Sequence, residues 1–376
     1  MLSYWEKQSL LQYDYIIIGS GIVGLSTAIS IRERDEKGRI LVLEREVLPT
    51  GASTKNAGFA CIGSLTEILA DLKTMSPGEV QSLVALRRRG LLGLRARIGD
   101  ACMDYREQGS FELISDKELP ALAQLDEVNR LLQPVLDGAA FSLATPKLAG
   151  FGFDGSYVKA LVSNNYEGEL NTGKMIRTLI DLAIVQSIEI KTGCPVVRIA
   201  DTGKGATVVV RHETLQEEIG FSCRELVVCT NAFGKELLPE LDIQPGRGQV
   251  LLTEPVPDLP FRGIFHMDEG YFYFRELHGR VLFGGGRHLD MQAEETTIFA
   301  YNDHLQGILE EKLRTILLPG REVRIADRWT GIMAFGPNRQ PLVQRYSEHI
   351  CIGVRLGGMG VAIGTAVGQQ LADMLR

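Results

Sequence analysis

The chain has 376 residues, of which 45% are hydrophobic and 23% charged, and its formal net charge is −7. This length predicts two domains, and the balance of apolar and charged residues is typical of a globular protein. The mildly acidic charge gives no support for a nucleic-acid partner. Three adjacent arginines, at 87–89, fall in a helical pattern, so we interpret them as a solvated face or as arginines with buried stems.

The six cysteines form no C-x-x-C pair and lie at no spacing that predicts a metal site, so we expect no bound metal. Most have apolar neighbours, as core thiols do in a reducing setting, which predicts a cytoplasmic protein. The apolar run 15–31 is interrupted by glycines and preceded by Glu6 and Asp14. We therefore expect neither a signal peptide nor a transmembrane segment.

The N-terminal segment has the pattern of a βαβ unit. A short β-rich run, Asp14–Ile18, predicts a buried strand, Gly19–Gly24 a turn and Leu25–Arg34 a helix. The next strand is predicted at Arg39–Glu44. Residues 51–63 are rich in small residues and predict a loop that leads into a small-residue helix.

The middle of the chain mixes helices and strands. Helical patterns cover 77–138, with a strand at Phe111–Leu113, and 168–187. Apolar runs predict further strands at Ile188–Ile190, Val196–Ile199, Val208–Arg211 and Glu225–Cys229.

From 249 to 288 the hydrophobic period changes to two. Tyr271–Arg275 and Val281–Phe283 predict neighbouring antiparallel strands joined at His278-Gly279. A helix is predicted over 297–317. The chain then ends in a strand, a glycine-rich turn and a helix at Val361–Leu375. The αβ pattern at both ends predicts one domain built from both termini, with another inserted between them.

The strongest motif is Gly19-Ser20-Gly21-Ile22-Val23-Gly24, which follows a predicted strand and opens a helix. Its first glycine permits the tight turn, the second lets a pyrophosphate approach the backbone, and the third brings helix and strand together. The positive end of the helix faces the phosphates. Glu44, at the end of the next strand, is placed to accept a hydrogen bond from a ribose hydroxyl. The motif predicts a dinucleotide site but does not choose between FAD and NAD.

Two further segments bear on that choice. Gly51–Gly58 offers hydroxyl, amide and N–H groups for a pyrophosphate and a flavin edge, although Ser53 or Thr54 could equally be an ordinary helix N-cap. Gly357–Val361 lies between a strand and the last helix. Its glycines let a flat ring approach, and the helix N-terminus favours negative charge on a reduced flavin. The alternative is that these glycines only let the helix pack on the sheet.

Together these segments resemble the D-amino acid oxidase superfamily of FAD-dependent oxidoreductases, over almost the whole chain. Besides the C-terminal glycine turn, the resemblance includes four further segments: Gly193-Cys194-Pro195-Val196-Val197, Val227-Val228-Cys229-Thr230-Asn231-Ala232, Pro245-Gly246-Arg247-Gly248-Gln249 and Trp329-Thr330-Gly331-Ile332. Members of the superfamily include glycine oxidase, sarcosine oxidase, D-amino acid dehydrogenase and L-2-hydroxyglutarate dehydrogenase.

The resemblance implies an α/β plus α+β fold: a Rossmann-like FAD domain, as in glutathione reductase, and a smaller antiparallel-sheet domain for substrate. We expect the FAD domain at 1–80, 160–245 and 320–376, and the substrate domain at 81–159 and 246–319. The cofactor-binding residues are then expected to be Gly19, Ser20, Gly21, Ile22, Val23, Gly24, Glu44, Arg45, Ser53, Thr54, Asn56, Ala57, Gly58, Val196, Val197, Thr230, Asn231, Gly234, Trp329, Gly331, Gly357, Gly358, Met359, Gly360 and Val361.

One departure from the pattern concerns the substrate. Glycine oxidase and D-amino acid oxidase carry a carboxylate-binding arginine after Trp-x-Gly, where this chain has Met333 or a residue close to it. Either another arginine serves, or the substrate is not a simple α-amino acid. Sarcosine oxidase relatives attach flavin through a cysteine near this segment. The sequence Ile332-Met333-Ala334 offers none, so FAD is expected to bind non-covalently.

The substrate candidates are Tyr271, Tyr273 and Arg275, which share one face of a predicted strand, together with Lys55 and Met333. A Tyr/Tyr/Arg face over a flavin suits a polar or anionic substrate, but the same face could simply be exposed to solvent. Lys55 could lie near the flavin or be a surface lysine. Arg355 could reach the active site or pair on the surface. No residue is nominated as a catalytic base.

The leading hypothesis is oxidation of a C–N bond in a small amine or amino acid by hydride transfer to flavin N5, with oxygen or a carrier as electron acceptor. The second is 2-hydroxy-acid dehydrogenation, since the Ser53–Gly58 loop is also similar to that of L-2-hydroxyglutarate dehydrogenase. The third is a flavin-binding subunit of a heteromeric oxidase.

Overall fold

The computed structural model describes residues 2–212 and 217–376. Strands form where the sequence has β-rich or alternating runs, and helices where apolar residues recur at helical spacing. The strands, in chain order, are β1 Gln12–Ile18, β2 Ile40–Leu43, β3 Phe59–Ala60, β4 Ser110–Ile114, β5 Phe141–Leu143, β6 Ala160–Asn164, β7 Gly168–Glu169, β8 Glu189–Lys191, β9 Val196–Asp201, β10 Ala206–His212, β11 Glu217–Val228, β12 Gln244–Thr253, β13 Ile264–Met267, β14 Phe272–Leu277, β15 Arg280–Gly285, β16 Ile325–Phe335, β17 Leu342–Arg345 and β18 Ile350–Val354.

The α-helices, also in chain order, are α1 Tyr4–Ser9, α2 Ile22–Arg34, α3 Ala52–Lys55, α4 Leu65–Asp71, α5 Pro77–Ile98, α6 Leu125–Leu132, α7 Leu148–Phe151, α8 Thr172–Val185, α9 Met291–Glu294, α10 Asp303–Lys312 and α11 Gly360–Met374. Short 3-10 segments occupy Ala101–Met103, Leu119–Gln124, Thr145–Lys147, Asn231–Glu236 and Arg287–Leu289, and a π-helical turn at Leu313–Leu317 continues α10. Within the described residues, no helix combines the length and the hydropathy needed to cross a bilayer.

The first sheet is built around the N-terminal βαβ unit. Its order is β17-β18-β11-β1-β2-β8, with β10 and β9 continuing from β11. Strand β1 pairs in parallel with both β2 and β11. Ile16 and Ile17 point to opposite faces and are both fully buried, which explains the continuous apolar run in this strand. The predicted βαβ unit is confirmed.

Three helices on one side of this sheet, α2, α11 and α5, pack closely against one another through glycines. A Cβ on Gly368 of α11 would lie 2.6 Å from the Cβ of Ser26 in α2, and one on Gly90 of α5 would lie 2.0 Å from the carbonyl oxygen of Ala362. Both chain ends therefore lie in one unit, as predicted. Apolar residues of helix α5 belong to the same hydrophobic core as those of α2 and α11. The predicted substrate domain, however, included most of α5.

The second sheet has the order β16-β12-β15-β14-β13-β4-β6-β5. Behind it is a phenylalanine-rich core, in which the stacked rings of Phe265 and Phe274 are 4.6 Å apart. Phe272 and Phe274 are both buried, so the opposite face of β14 is the one turned away from this core. The predicted hairpin of β14 and β15 is confirmed by their antiparallel register, in which Leu277 pairs with Arg280.

Two strands differ from the predicted division of the chain. Strand β16 pairs with β12 and β6 pairs with β4, so both belong to the second sheet, although 320–376 and 160–245 were assigned to the FAD domain. Strand partners of this kind are far apart in sequence, and no local pattern identifies them. The helix predicted over 297–317 begins later, at Asp303, where Asn302 caps it. The division into domains stays a prediction.

Candidate active site

The turn between β1 and α2 is closed by contacts that only glycine permits. Gly19 has a φ of +103°, and a Cβ on it would lie 2.9 Å from the carbonyl oxygen of Cys229. A Cβ on Gly24 would lie 1.9 Å from the carbonyl oxygen of Gly19. The turn therefore holds the N-terminus of α2 against the end of β1, with Gly21 and Ile22 lining a cavity.

Two side chains from other elements complete this turn. Glu44 Oε2 accepts hydrogen bonds from the backbone N–H of Ser20 at 3.0 Å and from its hydroxyl at 2.6 Å. Ser53 Oγ accepts one from the N–H of Ile22 at 3.0 Å. Ser53 thus caps α2 rather than its own helix, while Thr54 donates to carbonyls of its own loop. The Gly51–Gly58 segment is folded directly onto the first glycine turn.

A cavity of about 670 Å³ extends from this turn to the second sheet. Most of the predicted cofactor-binding residues line it. They are Gly19, Gly21, Ile22, Val23, Glu44, Arg45, Ser53, Asn56, Ala57, Val196, Thr230, Asn231, Gly331, Gly357, Gly358, Met359, Gly360 and Val361.

The other predicted cofactor residues do not line the cavity, and three of them support its wall. Ser20 fixes Glu44, Gly24 closes the turn, and the indole N–H of Trp329 donates to the Lys55 carbonyl at 2.9 Å. The predicted cofactor residues that are absent from the cavity wall are Ser20, Gly24, Thr54, Gly58, Val197, Gly234 and Trp329.

The C-terminal glycine turn joins the two sheets at the cavity. Gly357 has a φ of +54°, and its N–H donates to the Ala334 carbonyl in β16 at 2.9 Å. The first residues of α11 line the cavity, so the N-terminus of that helix faces it. Arg355 also lies on the wall, but its guanidinium forms an ion pair with Asp242 at 3.6 Å.

The Tyr/Tyr/Arg face of β14 is divided by the structure. Tyr271 and Tyr273 line the cavity, and burial raises the pKa of Tyr273 to about 12, so its phenol is a neutral donor. Arg275 does not reach this cavity. It donates to the carbonyls of Leu170 at 2.9 Å and Gly58 at 3.1 Å, and pairs with Glu169 at 3.5 Å. Arg275, which the sequence left open between a site over the flavin and an exposed face, therefore lies outside this cavity and ties Gly58 to β7.

Lys55 and Met333, the remaining substrate candidates, both line the cavity. The ammonium group of Lys55 is 5.8 Å from the centre of the Phe299 ring, so Lys55 is more than a plain surface lysine. The Met333 Sδ lies 3.8 Å from where a Cβ on Gly358 would be, which places Met333 beside the C-terminal glycine turn. Met333, at the position where glycine oxidase and D-amino acid oxidase carry a carboxylate-binding arginine, therefore lies on the cavity wall.

Sequence reasoning missed a charged cluster at the same wall. Arg87 is buried, donates to the Ile62 carbonyl at 2.7 Å and pairs with Glu67 at 3.3 Å. Arg339 pairs with Glu67 at 2.7 Å and with Asp71 at 2.6 Å. Burial raises the pKa of Asp71 to about 6, despite the nearby Arg339 charge. The solvated-face alternative for Arg87 is wrong, because α5 turns this side chain toward the core.

The sequence also missed a buried group of Cys61, Glu167 and His266, whose potential metal-ligating atoms all lie within 4.8 Å of one another. Glu167 already accepts hydrogen bonds from Ile62 and Gly63 N–H groups. Burial raises the pKa of the Cys61 thiol well above its usual value, with the carboxylate of Glu167 adding to the shift. Burial opposes protonation of His266, but Glu167, Glu67 and Glu112 together raise the pKa of that imidazole. No spacing in the sequence would have united these residues.

A family model for FAD dependent oxidoreductases, DAO, matches residues 14–374. The chain belongs to this DAO family. As a DAO-family enzyme, it is an FAD-dependent oxidoreductase, and the fold matches that family. Comparison with curated protein sequences gives no significant match.

Solved structures share the fold of this DAO-family chain at low sequence identity. L-proline dehydrogenase from P. horikoshii is 17% identical, with a TM-score of 0.77 over 97% of this chain and 93% of its own. Glycine oxidase from Geobacillus kaustophilus is 17% identical, with a TM-score of 0.76 over 97% and 96%. L-amino acid deaminase from Proteus myxofaciens is 18% identical, with a TM-score of 0.76 over 97% and 90%.

The site's residues fit FAD. The closed glycine turn and the N-terminus of α2 suit a pyrophosphate, because backbone N–H groups and the helix dipole both favour phosphate oxygens. Glu44 is held in place by Ser20 at the end of β2, where the adenosine ribose belongs. The cavity continues past the glycine turn to the N-terminus of α11, which gives the second half of the dinucleotide a place.

Proposed function

We propose that this enzyme binds FAD non-covalently and oxidises the C–N bond of a small amino acid or amine. The observation that carries the proposal is the continuity of one cavity, which joins the dinucleotide-binding turn to Tyr271 and Tyr273 on the second sheet. The proline dehydrogenase, glycine oxidase and amino acid deaminase that share the fold act on amino acids by their names, which supports this substrate class.

When bound, FAD supplies the hydride acceptor, its N5 atom. The chain's own contribution is to bind, orient and exclude water. Gly19–Gly24 and the N-terminus of α2 hold the pyrophosphate, and Glu44 accepts from the ribose. The N-terminus of α11 stabilises negative charge at the ring. Tyr273 donates a hydrogen bond to substrate, since its high pKa keeps the proton on its oxygen.

Non-covalent attachment is supported by the state of a thiol on the cavity wall. Cys61 lines the cavity, but burial raises its pKa and keeps it protonated, so it is a poor nucleophile toward a flavin. The segment Ile332-Met333-Ala334 places no thiol on the opposite wall. We propose that oxygen or a small carrier re-oxidises the flavin.

The first test is the visible spectrum of the purified protein. Flavin absorbance that passes into the supernatant on acid denaturation supports non-covalent FAD, and yellow colour that remains with the precipitate contradicts it. Anaerobic addition of L- and D-amino acids and of secondary amines should bleach the flavin. Bleaching by 2-hydroxy acids alone would replace the proposal with hydroxy-acid dehydrogenation. Oxygen uptake, compared with dye reduction under argon, then identifies the electron acceptor.

A further inference from the structure

The cations on the cavity wall differ in whether an acid neutralises them. Arg45 pairs with Glu46 at 3.1 Å, and Arg87, Arg339 and Arg355 each have an acidic side chain within 4.0 Å. Within residues 2–212 and 217–376, neither a hydrogen bond nor an ion pair from the side chain of Arg287 is found. Lys55 is the other cavity cation without an acidic partner in this part of the chain. An unneutralised guanidinium in a half-buried wall is costly unless an anion binds there.

The backbone around Arg287 fixes where its side chain goes. Gly285 and Gly286 have φ values of +118° and +82°, and a Cβ on Gly285 would lie 2.0 Å from the Tyr271 carbonyl oxygen. The chain therefore turns sharply at the end of β15, and Arg287 follows at the start of a 3-10 turn. The guanidinium carbon lies 4.0 Å from the centre of the Phe335 ring. Stacking on an aromatic face leaves the N–H donors at the guanidinium edge free.

Strand β12 brings the Arg287 side chain and the Tyr273 hydroxyl to neighbouring positions on one of its faces. A Cβ on Gly246 would lie 3.4 Å from Arg287 Cδ, and one on Gly248 would lie 3.9 Å from the Tyr273 hydroxyl. Gly246 and Gly248 are two residues apart in one strand, so they face the same side and neighbouring positions. The absence of side chains at both positions makes room for Arg287 and Tyr273 over the same patch of sheet.

We propose that Arg287 binds a carboxylate of the substrate, so that the substrate class is a carboxylic acid, as in an α-amino or N-alkyl amino acid, rather than a simple amine. This rests on the proposed function. Arg287 presents two N–H donors to the carboxylate, and Tyr273 donates from the next position along β12. Burial lowers the pKa of Arg287, although nearby Tyr271, Glu294 and Glu295 favour its charge, as expected of a cation that awaits its counter-ion.

The structure also explains why Arg287, rather than Arg275, has this role. Arg275 has an acidic partner and four carbonyl acceptors, so its donors are already used. The Arg287 side chain lies against Gly246 of β12, and Gly246 pairs directly with Met333 in β16. The Arg287 side chain and Met333 therefore lie at neighbouring strand positions. A carboxylate at Arg287 therefore lies next to Met333.

The test measures equilibrium binding to the oxidised holoprotein, which needs no turnover. Benzoate and acetate, each with its neutral amide as a matched probe, are titrated while flavin absorbance and heat are recorded. Wild-type protein should bind each carboxylate at least about 10-fold more tightly than the matching amide. Arg287→Met should remove that preference and leave amide binding within about 2-fold of wild type. Arg130→Met, an exposed arginine far from the cavity, serves as the control and should behave as wild type.

Two further variants make the result decisive. Arg287→Lys keeps the positive charge but not the paired donors, and should weaken benzoate binding about 5-fold or more even if the methionine variant loses FAD. Lys55→Met tests the rival cation. The proposal is overturned if wild type shows no carboxylate preference, if Arg287→Lys binds benzoate as wild type does, or if only Lys55→Met removes the preference. Failure of amino acids to bleach the flavin would leave these binding results unchanged, so it would contradict the proposed function alone.

Discussion

The two ends of the cavity are built in opposite ways. At the dinucleotide end, Gly19, Gly24 and Glu44 lie within one short βαβ unit, and backbone geometry does most of the binding. At the substrate end, Tyr273, Arg287 and the buried Glu112–His266 region come from strands and turns far apart in sequence. The first end depends on close backbone contacts and the second on charges in a buried wall. Substitutions that test backbone space and substitutions that test charge should therefore act differently at the two ends.

The largest effect is expected from Gly24→Ala. Its new Cβ would lie 1.9 Å from the Gly19 carbonyl oxygen, and neither backbone can move without opening the turn. We expect a loss of roughly 3 kcal/mol or more in the free energy of unfolding, together with loss of retained FAD. Thermal denaturation and the flavin-to-protein ratio measure both. A variant that keeps full flavin occupancy and wild-type stability would contradict the importance of backbone contact at this end.

At the opposite end, a buried carboxyl group should make the stability of the protein depend on pH. Glu112 in β4 is buried, and burial raises its pKa to about 7, although hydrogen bonds from Thr66 and Ser64 lower it; His266 and Glu118 are its charged neighbours. Because the unfolded chain releases this proton near its ordinary pKa of about 4.3, the folded protein holds more protons between that value and about 7. Stability should therefore fall as pH rises through this window.

Glu112→Gln removes the titration and keeps an oxygen that accepts from Ser64 and Thr66. The variant should lose less stability than wild type between pH 5 and pH 8, by about 2–3 kcal/mol in urea unfolding. Glu127→Gln, at an exposed position in α6, is the matched control and should leave the pH dependence unchanged. If the stability of Glu112→Gln and that of wild type depended on pH in the same way, Glu112 would not hold an extra proton in the folded protein.

A smaller effect is expected at the dinucleotide end from Glu44→Ala. The substitution removes the acceptor for the Ser20 N–H and for the ribose, but leaves the glycine turn closed. We expect FAD to bind about 10-fold more weakly, with little change in the stability of the apoprotein. Titration of apoprotein with FAD, followed by flavin fluorescence, measures the change. Equal affinities would show that the ribose is held by other groups.

The same contrast explains what sequence reasoning achieved. The βαβ unit, the hairpin of β14 and β15 and the C-terminal helix were predicted because each is encoded by neighbouring residues. The contacts of Arg275 and the position of Arg287 on the cavity wall were not predicted, because alternation in a strand gives the face of a side chain but not what lies opposite it. The same holds for Cys61, Glu167 and His266, which meet only because separate elements converge.

The smallest effect is expected at a glycine with open space around it, where an added Cβ should not lower stability. Gly307 is an exposed residue within α10, and a Cβ there would meet no atom within 4 Å. Gly307→Ala should therefore raise the free energy of unfolding by about 0.5–1 kcal/mol, because alanine loses less backbone entropy in a helix and contacts nothing. Flavin content should stay the same, since α10 lies behind the second sheet. The opposite signs expected for Gly24→Ala and Gly307→Ala separate a glycine required by contact from one that is merely tolerated, and a destabilised Gly307→Ala would remove that distinction.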